Sequence, residues 1–161
     1  MRSYTYFGLT AIVLVLDQLS KAVIRNLLTP GEIIRITEKF LWITHTTNSG
    51  AAFSLSLGSE LYNRLFFSFI ALIASLVFAL LVLKSRQKIE KIVFALILGG
   101  TLGNLIDRIF QGEVTDFIWC DFPDFIMTRW PVFNLADSSI VVAIGIMIVH
   151  VLFFAKKQGA D

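Results

Sequence analysis

Charge is scarce in this chain: 16% of its 161 residues are Asp, Glu, Lys or Arg, where soluble domains carry roughly 25%. With 56% hydrophobic residues and a mean hydropathy of +0.75, that shortage excludes an ordinary soluble domain and leaves an integral membrane protein. A net charge of +2 is too small for a nucleic-acid-binding surface. Cysteine is nearly missing, and Cys120 alone excludes an internal disulfide framework or a cysteine-based zinc cluster. Histidine is limited to His45 and His150, far apart and outside any HExxH, so no metal site is expected. GxSxG is absent, and with it the serine elbow of the hydrolases. Neither repeats nor low-complexity linkers divide the chain, so a single domain over 1–161 is expected.

What is present is a set of four apolar runs, at about 6–24, 65–83, 92–110 and 138–155. Each is near the ~20 residues needed to cross a bilayer. The first resembles a secretory leader, but it carries Asp17 and Lys21 and has no convincing small-x-small cleavage site, so it reads as a retained helix. Basic residues cluster in KSRQKIEK, at Lys156 and Lys157, and at Arg2. By the positive-inside rule these segments and both termini are cytoplasmic, which leaves 25–64 and 111–137 outside. The first outer segment holds GEIIRI and FLWITHT, which alternate apolar and polar residues like two short strands turning at TEK. TNSG after them marks a turn, and 51–57 reads as extended or interfacial. In the second, Trp119, Phe122, Phe125 and Trp130 interleave with Asp121, Asp124 and Arg129, an interfacial pattern.

The stretch GGTLGNLIDRIFQGEVTD concentrates the unusual residues. On a helix Gly100, Gly103, Asn104, Asp107 and Arg108 share one stripe, which must face protein rather than lipid. Gly99 and Gly103 form a small-xxx-small pair that admits a close neighbour. Asp17 and Lys21 are spaced as a helical ion pair, expected to neutralise itself with Lys21 snorkelling outward, a direct chemical role being the other reading. Asp107 and Arg108 point about 100° apart. Arg108 is therefore left to answer Asp17, or a phosphate or carbonyl, and Asn104 to bond across helices.

Asp116 and Asp137 are acids at span ends, Asp116 in a short polar connection and Asp137 at the start of the fourth helix, where the dipole favours an anion. Read from the residues, they are either caps and solvated ends or a proton-sharing pair serving as general base and general acid. Cys120 with His45, or Lys21 with Ser49 or Ser138, can also be drawn. A proton-coupled transporter or channel component is the rival from another class. It predicts polar groups through the full depth of the spans, yet the second run offers only Ser68 and Ser75.

The motifs DQLSK (17–21), TNSGAAFS (47–54), GGTLGNLIDR (99–108), GEVTDFI (112–118) and FNLAD (133–137), in that order, resemble those of the lipoprotein signal peptidases, also called signal peptidase II, over essentially the whole chain. The resemblance implies a bacterial inner-membrane aspartic endopeptidase with four spans, an extracytoplasmic sheet and no cofactor. Its substrates would be prolipoproteins, cut just before a cysteine already carrying diacylglycerol. Asp116 and Asp137 would be the catalytic pair. Asp17, Lys21, Asn48, Gly50, Asn104, Asp107, Arg108 and Asn134 would bind substrate and hold that pair. Membrane lipids would be its other partners, and it would work as a monomer.

Overall fold

The computed structural model describes residues 3–50, 59–121 and 130–154. A short 3-10 turn, Ser3–Tyr6, leads into α1 (Phe7–Leu27), followed by β1 (Ile33–Arg35) and β2 (Leu41–Asn48). Then come α2 (Glu60–Lys84), α3 (Lys88–Phe110), β3 (Val114–Cys120) and α4 (Leu135–Phe153). Among the described residues these four helices are long and apolar enough to cross a membrane. Their outer faces carry exposed Leu, Ile, Val and Phe, as lipid-facing surfaces require.

The helix ends follow local chemistry. Leu28 leaves the helical region just ahead of Thr29 and Pro30. Ser59 caps α2 by accepting from the Tyr62 N–H. Beyond α3, Gly112 adopts φ +88°, which lets the chain reverse into β3. At α4 the Asn134 side chain accepts from the Asp137 N–H while the Asp137 carboxylate accepts from the Asn134 N–H, a reciprocal capping box.

α3 is the central helix, packed against α1, α2 and α4. The glycines set its distances: a Cβ on Gly99 would lie 2.7 Å from the Val13 Cβ, and one on Gly103 would lie 2.5 Å from the Asp17 carboxylate. One on Gly100 would meet the Ala136 carbonyl at 2.5 Å. The expected small-xxx-small pair thus admits α1, and Gly100 admits α4 on another face. One core cluster forms around Tyr6, Val82 and Ala95. A second, of Ile24, Leu28 and Phe117, ties the end of α1 to the sheet.

The sheet is antiparallel in the order β1-β2-β3. The expected hairpin is present. Its strands are separated by residues 36–40, wider than TEK alone, and the Thr37 hydroxyl accepts from the N–H groups of Phe40 and Leu41. β1 is exposed on both faces, so it has no buried apolar side. The third strand is a correction: Asp116 lies inside β3, opposite Thr46, and not in a polar connection. Val114 to Phe117 are all buried, so the alternation that marks a half-buried strand is absent from the sequence there. Trp119 likewise belongs to β3, crossing Trp42 edge-on at 4.8 Å. Phe133 extends the edge by exchanging backbone hydrogen bonds with Ile118, which brings the start of α4 beside β3. The segment 51–57, Phe122, Asp124, Phe125, Arg129, Arg2, Lys156 and Lys157 lie outside the described residues.

Candidate active site

Asp116 arrives on a strand and Asp137 on a helix, and Asn134 joins them. The Asn134 Oδ1 accepts from the Asp137 N–H at 2.9 Å, which orients the amide so that its Nδ2 donates to Asp116 Oδ1 at 2.7 Å. The same residue's backbone N–H donates to Asp137 Oδ2 at 3.3 Å. The second oxygen of Asp116 accepts from Asn48 Nδ2 at 3.3 Å, and Asp137 Oδ1 accepts from Asn104 Nδ2 at 2.8 Å.

Behind the two acids lies a buried charge cluster that orients Asn104. Lys21 has three donors and no acceptor. Its Nζ lies 2.9 Å from Asn104 Oδ1, so the Asn104 amide must turn its N–H groups toward Asp137. Lys21 also meets Asp17 at 2.8 Å and Asp107 at 3.3 Å, all three side chains being essentially inaccessible. The helical pair is therefore as expected, but Lys21 does not snorkel. Two carboxylates and an amide oxygen replace its water, and burial without them would cost several kcal/mol. Asp17 goes on to accept from the Ala136 N–H at 2.9 Å, tying α1 to the first turn of α4.

Arg108 does not answer Asp17. It donates to the carbonyl oxygens of Gly50 at 2.9 Å and Asn104 at 3.3 Å, with its guanidinium over the Phe67 ring. Asp107 turns the other way, to Lys21, Arg25 and the Thr115 N–H. These neighbours in sequence thus serve different faces of α3, as their angular separation of about 100° allows.

The acids open onto a cavity of about 1140 Å³ between the sheet and the start of α4, whose lining includes Asn48, Gly50, Asn104, Arg108, Asp116 and Asp137. Its wall continues past Ser138 onto the apolar Ile140, Val141 and Val142. Asn134, Asp17, Lys21 and Asp107 stand outside this lining and act on it through the hydrogen bonds above. Burial, and then the negative charge of Asp137, push the Asp116 carboxyl up to about 7, against the smaller opposing effects of Asn48, Asn134 and Lys21. Near neutral pH the Asp116 carboxyl is therefore poised between its protonated and ionised forms.

The other pairings do not form. Cys120 is buried opposite Leu41, whereas His45 lies four residues further along β2 and bonds the Leu28 carbonyl. Burial raises the Cys120 thiol further above its ordinary range. The Ser138 hydroxyl donates to the Asn134 carbonyl rather than meeting Lys21. His150 bonds Gln87 at the opposite end of the helices.

Three participants were missed by the sequence reading. Gln18 Nε2 reaches Asp17, Asp107 and the Gly103 carbonyl; Arg25 reaches Asp107 and Thr115; and Thr115 accepts from Arg25. Arg25 had a signal: Asp17, Lys21 and Arg25 recur every four residues and so share one helix face. Gln18 lay within DQLSK and Thr115 within GEVTDFI, neither with a charge to mark it.

Comparison with known proteins agrees with this architecture. Lipoprotein signal peptidases of Serratia marcescens, Francisella tularensis subsp. novicida and Geobacillus kaustophilus are 38%, 39% and 33% identical to this chain. The matches cover 98%, 95% and 95% of it, and 90%, 94% and 96% of the relatives. Two bacterial membrane enzymes solved by the in meso method, at 2.3 Å and 1.9 Å resolution, superpose with TM-scores of 0.83 and 0.79, each at 30% identity. Those superpositions cover 98% and 93% of this chain, and 93% and 94% of the two structures. The transporter reading is left without support. With a family model described as signal peptidase (SPase) II matching residues 9–153, this chain belongs to the signal peptidase II family.

Proposed function

We propose that Asp116 and Asp137 are the catalytic acids with which this signal peptidase removes the signal peptide from prolipoproteins. The observation that carries this reading is their convergence from β3 and α4, joined through Asn134, on the wall of one large cavity. In this mechanism Asp116 starts protonated, and Asp137 as the anion takes a proton from a water whose oxygen attacks the scissile carbonyl carbon. Protonated Asp116 gives its proton to the carbonyl oxygen. Collapse of the resulting tetrahedral diol breaks the C–N bond. The proton taken by Asp137 passes to the leaving amine, and that of the diol hydroxyl returns to Asp116.

The substrate we assign is a diacylglyceryl-modified prolipoprotein, cut just before its lipidated cysteine. The cavity supports this, because polar groups able to bind a peptide backbone give way along α4 to an apolar wall fit for acyl chains. Arg108, Asn48 and Gly50 stand where a substrate backbone would pass. The chain would act in the bacterial inner membrane as a single domain with both termini cytoplasmic and the cavity outward. The basic α2–α3 connection, at the end opposite the sheet, supports that orientation. We assign it to act as a monomer.

The test is cleavage of a diacylglyceryl-modified prolipoprotein peptide in detergent, beside the same peptide without lipid. Asp116→Asn and Asp137→Asn should each lower kcat by at least ~100-fold, the lower range of general acid-base contributions, while the protein stays folded. Turnover like wild type in either variant would remove the assignment. Equal cleavage of the lipid-free peptide would remove the substrate class.

A further inference from the structure

We infer that Arg25 is a positioning residue for Asp116, acting through Thr115 and Asp107 to set the rotation of β3 that aims the Asp116 carboxyl into the cavity. Arg25 lies in the last turn of α1, and its side chain is 24% exposed. From there its Nη1 donates to the Thr115 hydroxyl at 2.9 Å and reaches Asp107 Oδ1 at 3.4 Å. The other Asp107 oxygen accepts from the Thr115 N–H at 3.0 Å, while the Thr115 carbonyl accepts from Asn134 Nδ2 at 3.4 Å. Thr115 is thus held at its amide, its carbonyl and its hydroxyl, with 2% of its surface accessible.

Successive side chains of a strand point to opposite faces. Turning the Thr115 hydroxyl toward Arg25 therefore turns Asp116 the other way, to where Asn48 and Asn134 meet it. Charge gives Arg25 a second reason to be there. Asp17 and Asp107 both lean on the single ammonium of Lys21, and Arg25 brings the second cation to Asp107. A guanidinium can meet a hydroxyl and a carboxylate at once from a rigid fork, which an ammonium does less well.

The inference rests on Asp116 being a catalytic acid, and its test separates the two claims. kcat and KM are measured on the full chain in detergent with the lipidated peptide, for Arg25→Gln, Arg25→Lys, Thr115→Val, the Arg25→Gln/Thr115→Val double variant and Asp116→Asn. Arg25→Gln and Thr115→Val should each lower kcat by roughly 10-fold, since small misplacements of a catalytic group are costly, with KM within about twofold. The double variant should be no worse than the poorer single, because both remove one interaction. Arg25→Lys should recover part of the loss. Thr115→Val keeps side-chain shape and leaves the Arg25–Asp107 pair in place, so it probes the contact even where Arg25→Gln weakens folding. Wild-type kcat in Thr115→Val, or losses that multiply in the double variant, overturn the role of Arg25 while an inactive Asp116→Asn leaves the dyad standing. Full turnover in Asp116→Asn overturns the dyad itself.

Discussion

At the scale of single residues, the site depends on which groups can only donate and which can only accept. Lys21 orients Asn104, Asn104 presents N–H to Asp137, and the Asp137 amide orients Asn134 toward Asp116. The raised carboxyl of Asp116 has two consequences. As the proposed general acid it must hold its proton, so kcat/KM should fall as the pH rises through about 7, which a pH-rate profile checks. It also binds its proton more tightly folded than unfolded, so its contribution is fully present below the ordinary carboxyl value of 3.8 and is lost as the pH rises through about 7. Asp116→Asn should therefore melt higher than wild type at pH 8, with the gap narrowing toward pH 4. Lys21→Met should be severe. It leaves Asp17 and Asp107 without their shared cation, at a cost of about 3–5 kcal/mol, and thermal melts in detergent should show Asp17→Asn recovering part of that loss.

At the scale of elements, the site is made where a strand, a helix start and a glycine face meet. Gly100 has no room for a side chain, because the Ala136 carbonyl stands where its Cβ would be. Gly100→Ala should push the start of α4, and Asp137 with it, away from α3, costing about 1–3 kcal/mol from overpacking and lowering activity. Gly145→Ala, on the same helix as Ala136 but with nothing within 4 Å, should be neutral in both melting and cleavage assays. The helices were legible in the sequence because an apolar run of bilayer length is a strong signal, and their ends shifted by only a few residues once caps such as Ser59 and Asn134 were seen. β3 was not legible. Its first four residues are buried on both faces, leaving no period of two to read, and Asp116 within it resembled a loop residue.

At the scale of the whole molecule, the polar network gathers at the sheet end of the helices, and the basic α2–α3 connection stands at the other. If both termini are cytoplasmic, as proposed, a cysteine introduced by Lys39→Cys in the hairpin should react in intact cells with a membrane-impermeant maleimide, and one introduced by Arg86→Cys should not. The reverse result would invert the proposed topology. Native Cys120 is buried and should contribute little labelling.

The sequence by itself determined that the chain spans a membrane, that its rare acids and amides would gather near span ends, and, through five ordered motifs, to which family it is similar. Hydrophobic length, charge rarity and residue spacing are properties of the chain that need no fold to be read. Only the tertiary structure decided that Lys21 is buried instead of snorkelling, that Arg108 meets the Gly50 and Asn104 carbonyls instead of Asp17, and that Arg25 and Thr115 stand behind Asp116. Those outcomes depend on distances between elements far apart in sequence, set by the close approach of α1 and α4 to the glycines of α3. Spacing along the chain carries no record of which donor reaches which acceptor across that packing.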